Sequence, residues 1–520
     1  MASSSMRRKL APSCDATRFA YILLLFFCRL QCCSTAGGAP QPPRSGFVLP
    51  LLHRTSLPPP YTRRYTSPLS KLDFFAEAKS LDQARILSIA ASLSRSSKDV
   101  LVSSSSTSFN ALYASNASNG YSSRVRSGAS AGAGQYFVQF AIGSPPQKFM
   151  LIADTGSDLV WVRCSICKRR CRDGGAVRAG PPLPPTFLAR ASSTYRPVPC
   201  LSQSCLLVPA PPSFSCNLRI PSTCRYDYTY ADASESSGVF SMETISLNPA
   251  STSYPPASQN FTAINSQEVK DFAFGCGLRN AGQSFVGSDG VLGMGRGMIS
   301  FVQQVGSIVG NKFSYCLVDF FSTPSLNSLL IVGDPPMPIK LLSTVQSTPL
   351  IQNSFAPSFY YVNVLDVAVN GKILPVPSSV WELDAVGNGG TVLDTGTTLT
   401  TFVEPAYQMI LNAISEEFPY PKVDPLQTFD LCFNATGLIS LSSLPTLSIT
   451  FEQGAVFSPP ASNIFIDIPG GLKCLSLQGV QGPFAFTVLG NLIQQNFHME
   501  FDLDSSMLRF ASTQCSGSFR

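Results

Sequence analysis

The sequence predicts an all-β chain built as two related halves, and three observations carry that expectation. Gly and Pro are frequent (37 and 41 of 520 residues), while long helical patterns are few. From Gln135 onward, short apolar runs rich in Val, Ile, Phe and Thr alternate with Gly, Pro, Asn and Ser, as strands joined by tight turns do. One strand-and-turn construction also occurs twice, 240 residues apart.

Taken in chain order, residues 1–36 read as a secretory leader. Arg7, Arg8 and Lys9 are its positive end, Phe19 to Cys28 its apolar stretch, and Ser34 and Ala36 the small residues placed for cleavage. A membrane anchor is the competing reading. Ten apolar residues rise about 15 Å as a helix, half of a hydrocarbon core, so no stable anchor is expected. Residues 37–133 are low in pattern, with a Pro cluster at Pro58 to Pro60, a Ser run at Ser103 to Ser106 and one helical stretch, Leu72 to Leu93. They read as a prosegment, with a disordered linker as the alternative. Charge favours the first. The stretch before Gly134 holds 16 basic and 5 acidic side chains, and the remainder 21 and 26, so a basic arm can dock on an acidic body. A nucleic-acid binder would carry its basic surface on the folded part, and none is expected here.

In the body, Tyr136 to Ile142 reads as a strand, Gly143 to Pro146 as a turn and Lys148 to Ala153 as a second strand. Ser300 to Val309 and Pro405 to Phe418 are the helical candidates. Gly333 to Pro338 breaks the body into a first lobe, 134–340, and a second, 341–520. Of 16 cysteines, four fall in the leader, and the remaining twelve suggest disulfides in an oxidising compartment. Cys164, Cys167 and Cys171 could be read as thiolate metal ligands, but the leader argues for bridges and no metal is expected. Asn260 and Asn434 stand in glycosylation acceptor motifs. Only two histidines occur, His53 and His498, which leaves little room for a histidine-dependent mechanism.

The repeat is the most informative feature. An apolar strand ends in Asp154-Thr155-Gly156-Ser157, and another in Asp394-Thr395-Gly396-Thr397; each is followed later by an apolar pair closing on Gly, at Val291 to Gly293 and Val488 to Gly490. One Asp-Thr-Gly is ordinary turn chemistry. Two, each behind a buried strand, point to carboxylates meeting across two halves. Held about 3 Å apart, such carboxylates share one proton, the situation general chemistry knows from aspartic-protease dyads. One can then take a proton from a water while the other donates to a carbonyl oxygen, with no cofactor and no covalent intermediate. The Gly residues let backbone approach, and the Ser157 and Thr397 hydroxyls can bond the carboxylates.

These motifs resemble the pepsin-type aspartic endopeptidases and, within them, the plant nepenthesin-like or atypical group, over roughly Gln135 to Cys515. The resemblance implies a bilobal fold, two lobes related by a pseudo-two-fold axis, with the active-site cleft between them. It implies that Asp154 and Asp394 are catalytic, that Tyr230 is the flap tyrosine supported by Trp161, that Gly238 closes the flap hairpin, and that Asp232 lies on the flap. Without it, Tyr230 and Trp161 would read as core aromatics and Asp158 and Asp232 as turn residues. By the same analogy the bridges are Cys164–Cys167, Cys171–Cys276, Cys200–Cys224, Cys205–Cys216, Cys316–Cys515 and Cys432–Cys474. The flap carries Ala231 and Ala233 where the family often has Gly, and the second half has no room for the saposin-like insert of typical plant members. The implied protein is a monomeric endopeptidase acting on polypeptides at acid pH, made as a zymogen whose prosegment is its own inhibitor, and sent to the extracellular space, the cell wall or the vacuole. The rival is a catalytically silent relative that binds or inhibits other proteins; such relatives typically lose a catalytic Asp or the flap tyrosine, and all three are present here.

Overall fold

The computed structural model describes residues 47–53, 71–104, 135–166, 185–208, 223–230, 234–247, 267–282, 285, 287–319, 328–335, 339–424, 428–437, 440–482 and 485–516, which all belong to one compact unit spanning 45–520. The leader, Cys167, Cys171, Cys216, Asn260, Asp232 and its neighbours Ala231 and Ala233 lie outside the described residues.

Strands dominate, and the first lobe grows from the predicted pair. Tyr136–Ile142 runs antiparallel to Gln147–Asp154, Phe137 opposite Ile152. The second strand is buried continuously from Phe149 to Asp154, the pattern of a strand covered on both faces. Its other neighbour is Gly290–Gly293, which lies parallel and sets Gly293 beside Asp154. The second lobe repeats the arrangement: Thr391–Leu393 pairs in parallel with Thr487–Leu489, Leu393 beside Leu489, immediately before Asp394. In both lobes the strand delivers its aspartate at the end of a parallel pair, so the sequence repeat is a repeat of structure.

One large sheet carries strands from both halves of the chain. In it, Gln346–Pro349, Met507–Ser512, Phe497–Asp502, Lys312–Cys316, Ser328–Val332, Phe47–His53 and Tyr136–Ile142 follow one another in space. Phe497–Asp502 shows how it is held: Phe497, Met499 and Phe501 point inward while His498, Glu500 and Asp502 are partly exposed, the period-two alternation of a half-covered strand. Phe501 stacks on Phe313 of the adjacent strand at 4.9 Å and meets Tyr360 edge-on at 4.7 Å. Phe47–His53 is the unexpected member. It sits between Ser328–Val332 and Tyr136–Ile142, with Val48 opposite Ile331 and Leu52 opposite Phe137.

The predicted helices form as Phe301–Val309 and Ala406–Glu417. The first is capped by Ser300, whose hydroxyl accepts from Gln303 N–H at 3.4 Å, and ends at Gly310 in a positive-φ conformation (φ 88°). The third helix, Lys71–Ser104, is longer than the predicted Leu72 to Leu93. Phe75, Ala78, Asp82, Arg85, Ile86 and Ile89 are buried, the spacing of a single helical face. Among the described residues no helix is long and apolar enough to cross a membrane.

Candidate active site

Asp154 and Asp394 are both buried, and the two motifs surround them with matching hydrogen bonds. Gly156 N–H donates to Asp154 Oδ1 at 3.1 Å and Gly396 N–H to Asp394 Oδ1 at 3.0 Å. The Ser157 hydroxyl donates to Asp154 Oδ2 at 2.5 Å and the Thr397 hydroxyl to Asp394 Oδ2 at 2.7 Å. Each carboxylate thus has one backbone and one hydroxyl donor fixing its plane. The carboxylates converge at Gly156, where a methyl group would stand 3.2 Å from Asp394 Oδ1 and 3.3 Å from Asp154 Oδ1. It would also meet Arg85 Nη2 at 2.7 Å, so a side chain there would press on all three charged groups.

The threonines between them lock the two loops together. Thr155 N–H donates to Thr395 Oγ1 at 3.2 Å and Thr395 N–H to Thr155 Oγ1 at 3.0 Å; the two hydroxyls are 3.3 Å apart, and Thr395 Oγ1 also donates to the Ala153 carbonyl at 3.1 Å. All of this is buried, where an unmade hydrogen bond is costly.

Arg85, from the N-terminal helix, enters this centre. Its Nη2 forms an ion pair with Asp394 Oδ2 and stands 3.8 Å from Asp154 Oδ1, with the guanidinium fully buried. One turn earlier, Asp82 accepts hydrogen bonds from the backbone N–H groups of Thr398 (3.1 Å) and Leu399 (2.7 Å), immediately after the second motif. Ile86 and Ile89 pack with Phe359, Tyr361, Val392 and Phe486 beside Asp394, and Phe75 meets Phe429 edge-on at 5.9 Å. Burial pushes the Asp82 carboxyl up to about 7, although Leu399, Thr398 and Arg85 pull it down. Burial likewise pushes Asp154 up to about 6; the Arg85 guanidinium opposes this and the Asp394 carboxylate adds to it.

Tyr230 and Trp161 are brought together: the indole Nε1 donates to the Tyr230 hydroxyl at 2.5 Å. Phe285 packs edge-on against both, at 4.8 Å from Trp161 and 5.1 Å from Tyr230. Both are fully buried, as core aromatics are. Tyr230 N–H bonds the Ser234 carbonyl at 2.7 Å across a hairpin whose tip lies outside the described residues. Gly238 does not close that hairpin. It lies inside the strand Glu235–Leu247, opposite Tyr226 and Gly277, where the Cys276 carbonyl leaves no space for a side chain.

The disulfides correct part of the expected pairing. Cys164 is joined to Cys276, not Cys167, because Trp161–Ser165 runs parallel to Gln267–Ala281 with Val162 beside Cys276, which sets the Cys164 and Cys276 Cα atoms 5.0 Å apart. That pairing also removes Cys276 from Cys171. Cys205 is joined to Cys224 (Cα–Cα 5.7 Å), which excludes Cys200–Cys224 and Cys205–Cys216. Cys200 is itself disulfide-bonded. Cys316–Cys515 and Cys432–Cys474 form as the resemblance implies. Asn434 is exposed on the surface.

Asp158 is more than a turn residue. Its carboxylate accepts from Gly297 N–H at 2.8 Å and from the Ser358 hydroxyl at 2.5 Å, a residue 200 positions away. Burial raises its pKa, and the Ser358 and Gly297 bonds pull it down. Asp is among the dominant turn residues, and nothing local in the sequence separates this one from the rest.

Residues 136–334 match the family model described as xylanase inhibitor N-terminal, and residues 359–512 the one described as xylanase inhibitor C-terminal. The chain is 36% identical over 400 residues to aspartyl protease family protein 2 of Arabidopsis thaliana, covering 76% of this chain and 74% of that protein. It is 33% identical over 399 residues to aspartic proteinase nepenthesin-1 of Nepenthes gracilis, covering 76% and 82%. Among solved structures, edgp superposes with a TM-score of 0.57 at 22% identity (73% of this chain, 92% of that one), and basic 7S globulin from soybean with 0.56 at 20% (74% and 96%). At those identities the structures speak for the shared bilobal β fold.

Proposed function

The chain belongs to the pepsin-like aspartyl protease family, and from that premise we propose that it is a secreted acid endopeptidase, made as a precursor whose N-terminal helix blocks the cleft. The observation that carries the reading is the pair of carboxylates, each held by one N–H and one hydroxyl and joined through Thr155 and Thr395. In the processed enzyme, Asp154 and Asp394 share one proton. The ionised member takes a proton from a water lying between them, and the resulting hydroxide attacks the scissile carbonyl carbon. The protonated member donates to the carbonyl oxygen, and the proton taken from water passes to the leaving amine as the C–N bond breaks. Tyr230 and Trp161 form the base of the flap that closes over the bound peptide.

In the precursor, Arg85 holds the position of the attacking water, and its charge neutralises the carboxylates that must share a proton. On this reading the leader carries the protein into the secretory pathway inactive, for release to the cell exterior or the vacuole. The test is cleavage of a peptide library from acid to neutral pH by the processed chain and by Asp394→Ala. The expected result is internal cleavage favoured by acid, and a loss of about 10³-fold or more in the variant. A variant as active as the parent removes the dyad from the chemistry.

A second reading, a silent member that binds other proteins, draws support from the xylanase-inhibitor names of the two matching family models. A processed chain that folds and cleaves no peptide at any pH would favour it.

A further inference from the structure

The Thr155–Thr395 exchange joins the two motif loops at their tips, but a second connection runs beneath it. The segment Met294–Gly297 follows the strand beside Asp154 and is bonded to the first motif on one side. Met294 N–H donates to the Asp154 carbonyl and Gly295 N–H to the Ser157 carbonyl, both at 2.8 Å. On its other side it is bonded to the second lobe: Arg296 N–H donates to the Ser358 carbonyl at 3.2 Å, and the Tyr360 hydroxyl to the Met294 carbonyl at 2.7 Å. Tyr360 in turn lies opposite Leu393, the residue before Asp394.

The Asp158 carboxylate closes this ring. One oxygen takes Gly297 N–H and the other the Ser358 hydroxyl, so a single side chain grips the segment and the second lobe at once. Its own backbone follows Ser157, whose hydroxyl orients Asp154. Gly295 and Gly297 face the carboxylate so closely that a methyl group on either would collide with its oxygens, so the space is shaped around it. Nothing in the reaction calls for a third carboxylate here, and Asp158 contacts neither Asp154 nor Asp394 in any described bond.

We infer that Asp158 is a positioning residue: its carboxylate ties the loop of Asp154 to the strand pair that delivers Asp394 and so sets the distance and angle between the two aspartates. The inference rests on the protease reading above. Because the dyad works only while two carboxylates share one proton, a small spreading of the lobes costs rate more than binding.

The experiment compares processed parent, Asp158→Ala, Asp158→Asn, Ser358→Ala and the Asp158→Ala/Ser358→Ala pair, reading kcat, KM and thermal midpoint on one peptide at acid pH. Asp158→Ala and Ser358→Ala are expected to lower kcat by about 10- to 100-fold with KM nearly unchanged. The double variant is expected to lose no more than Asp158→Ala, because both remove one tie. Asn can accept from Gly297 and donate to Ser358, so Asp158→Asn is expected to recover kcat to within a few-fold of the parent. A lowered thermal midpoint with parental kcat in Asp158→Ala would make the residue merely structural. An Asn variant as slow as the Ala variant would mean that charge, not the tie, matters, and would equally overturn the inference. If the parent itself proves inactive, the protease reading fails on that ground. Crystal structures of the parent and Ser358→Ala then decide the tie: an increased separation of the Asp154 and Asp394 carboxylates supports it, and an unchanged one overturns it.

Discussion

Thr395 shows how much one hydroxyl can hold. Its Oγ1 accepts from Thr155 N–H, faces the Thr155 hydroxyl and donates to the Ala153 carbonyl. Thr395→Val keeps the shape and strands buried polar groups, each costing about 1–3 kcal/mol. The expected outcome is a clear fall in the thermal midpoint, with a larger loss of peptidase rate than of substrate affinity. Ser157→Ala is gentler: Asp154 keeps its Gly156 bond, so the fold stays intact while activity drops. Asp154 and Asp394 were legible in the sequence because the motif is written twice, which turn statistics alone do not produce. Asp158 was not legible, since the same letter in the same context usually serves only its own loop. Arg85 was equally hidden. It is one of 16 basic residues before Gly134, and only the path of the helix selects it.

At the scale of elements, the helix Lys71–Ser104 combines an apolar face with two buried charges three residues apart. Arg85→Gln removes the cation that offsets the two aspartates, and breaking such a buried pair costs about 3–5 kcal/mol. On the proposed reading the unprocessed chain carrying it is expected to cleave a small peptide and the unprocessed parent is expected not to; equal latency in both would show that Arg85 is not what silences the pair. Lys79–Asp430, at 3.3 Å near the surface, should matter far less. This helix was legible from its periodicity, as were Phe301–Val309 and Ala406–Glu417. Phe47–His53 was not, because Pro50 interrupts the run and proline argues against an interior strand. It forms one because two neighbours, Ser328–Val332 and Tyr136–Ile142, leave a place that its apolar side chains fill. Bridges far apart in sequence, such as Cys164–Cys276, depend on strand neighbours that no spacing rule reveals.

For the whole molecule, acid acts on the docked helix in two opposite senses. Asp82 titrates near 7 when docked and in the ordinary carboxylate range near 4 once in water, so the docked state takes up a proton there. Its contribution to docking therefore grows as pH falls from about 7 to about 4. Arg85 pairs with ionised carboxylate and pulls the Asp154 pKa down against the larger effect of burial, so its contribution weakens as acid protonates Asp154. A simple charge latch, basic arm on acidic body, would contain only the second effect. Asp82→Asn removes the first. Inhibition of the processed enzyme by an added 71–104 segment should then weaken steadily with acid, by up to about tenfold per pH unit, while the parent segment changes less over the same range. Matching pH profiles for the two segments would show that Asp82 carries no such linkage. The strand Phe47–His53 has a different consequence. It is laid down in the middle of the sheet that both halves share, with edges on either side already satisfied by it. A polypeptide beginning at Gln135 would have to assemble that sheet around a gap, so the amino-terminal region serves as a mould for it. Renaturation from denaturant, with disulfides kept intact, is expected to succeed for the full chain and to give little active product for the shortened one.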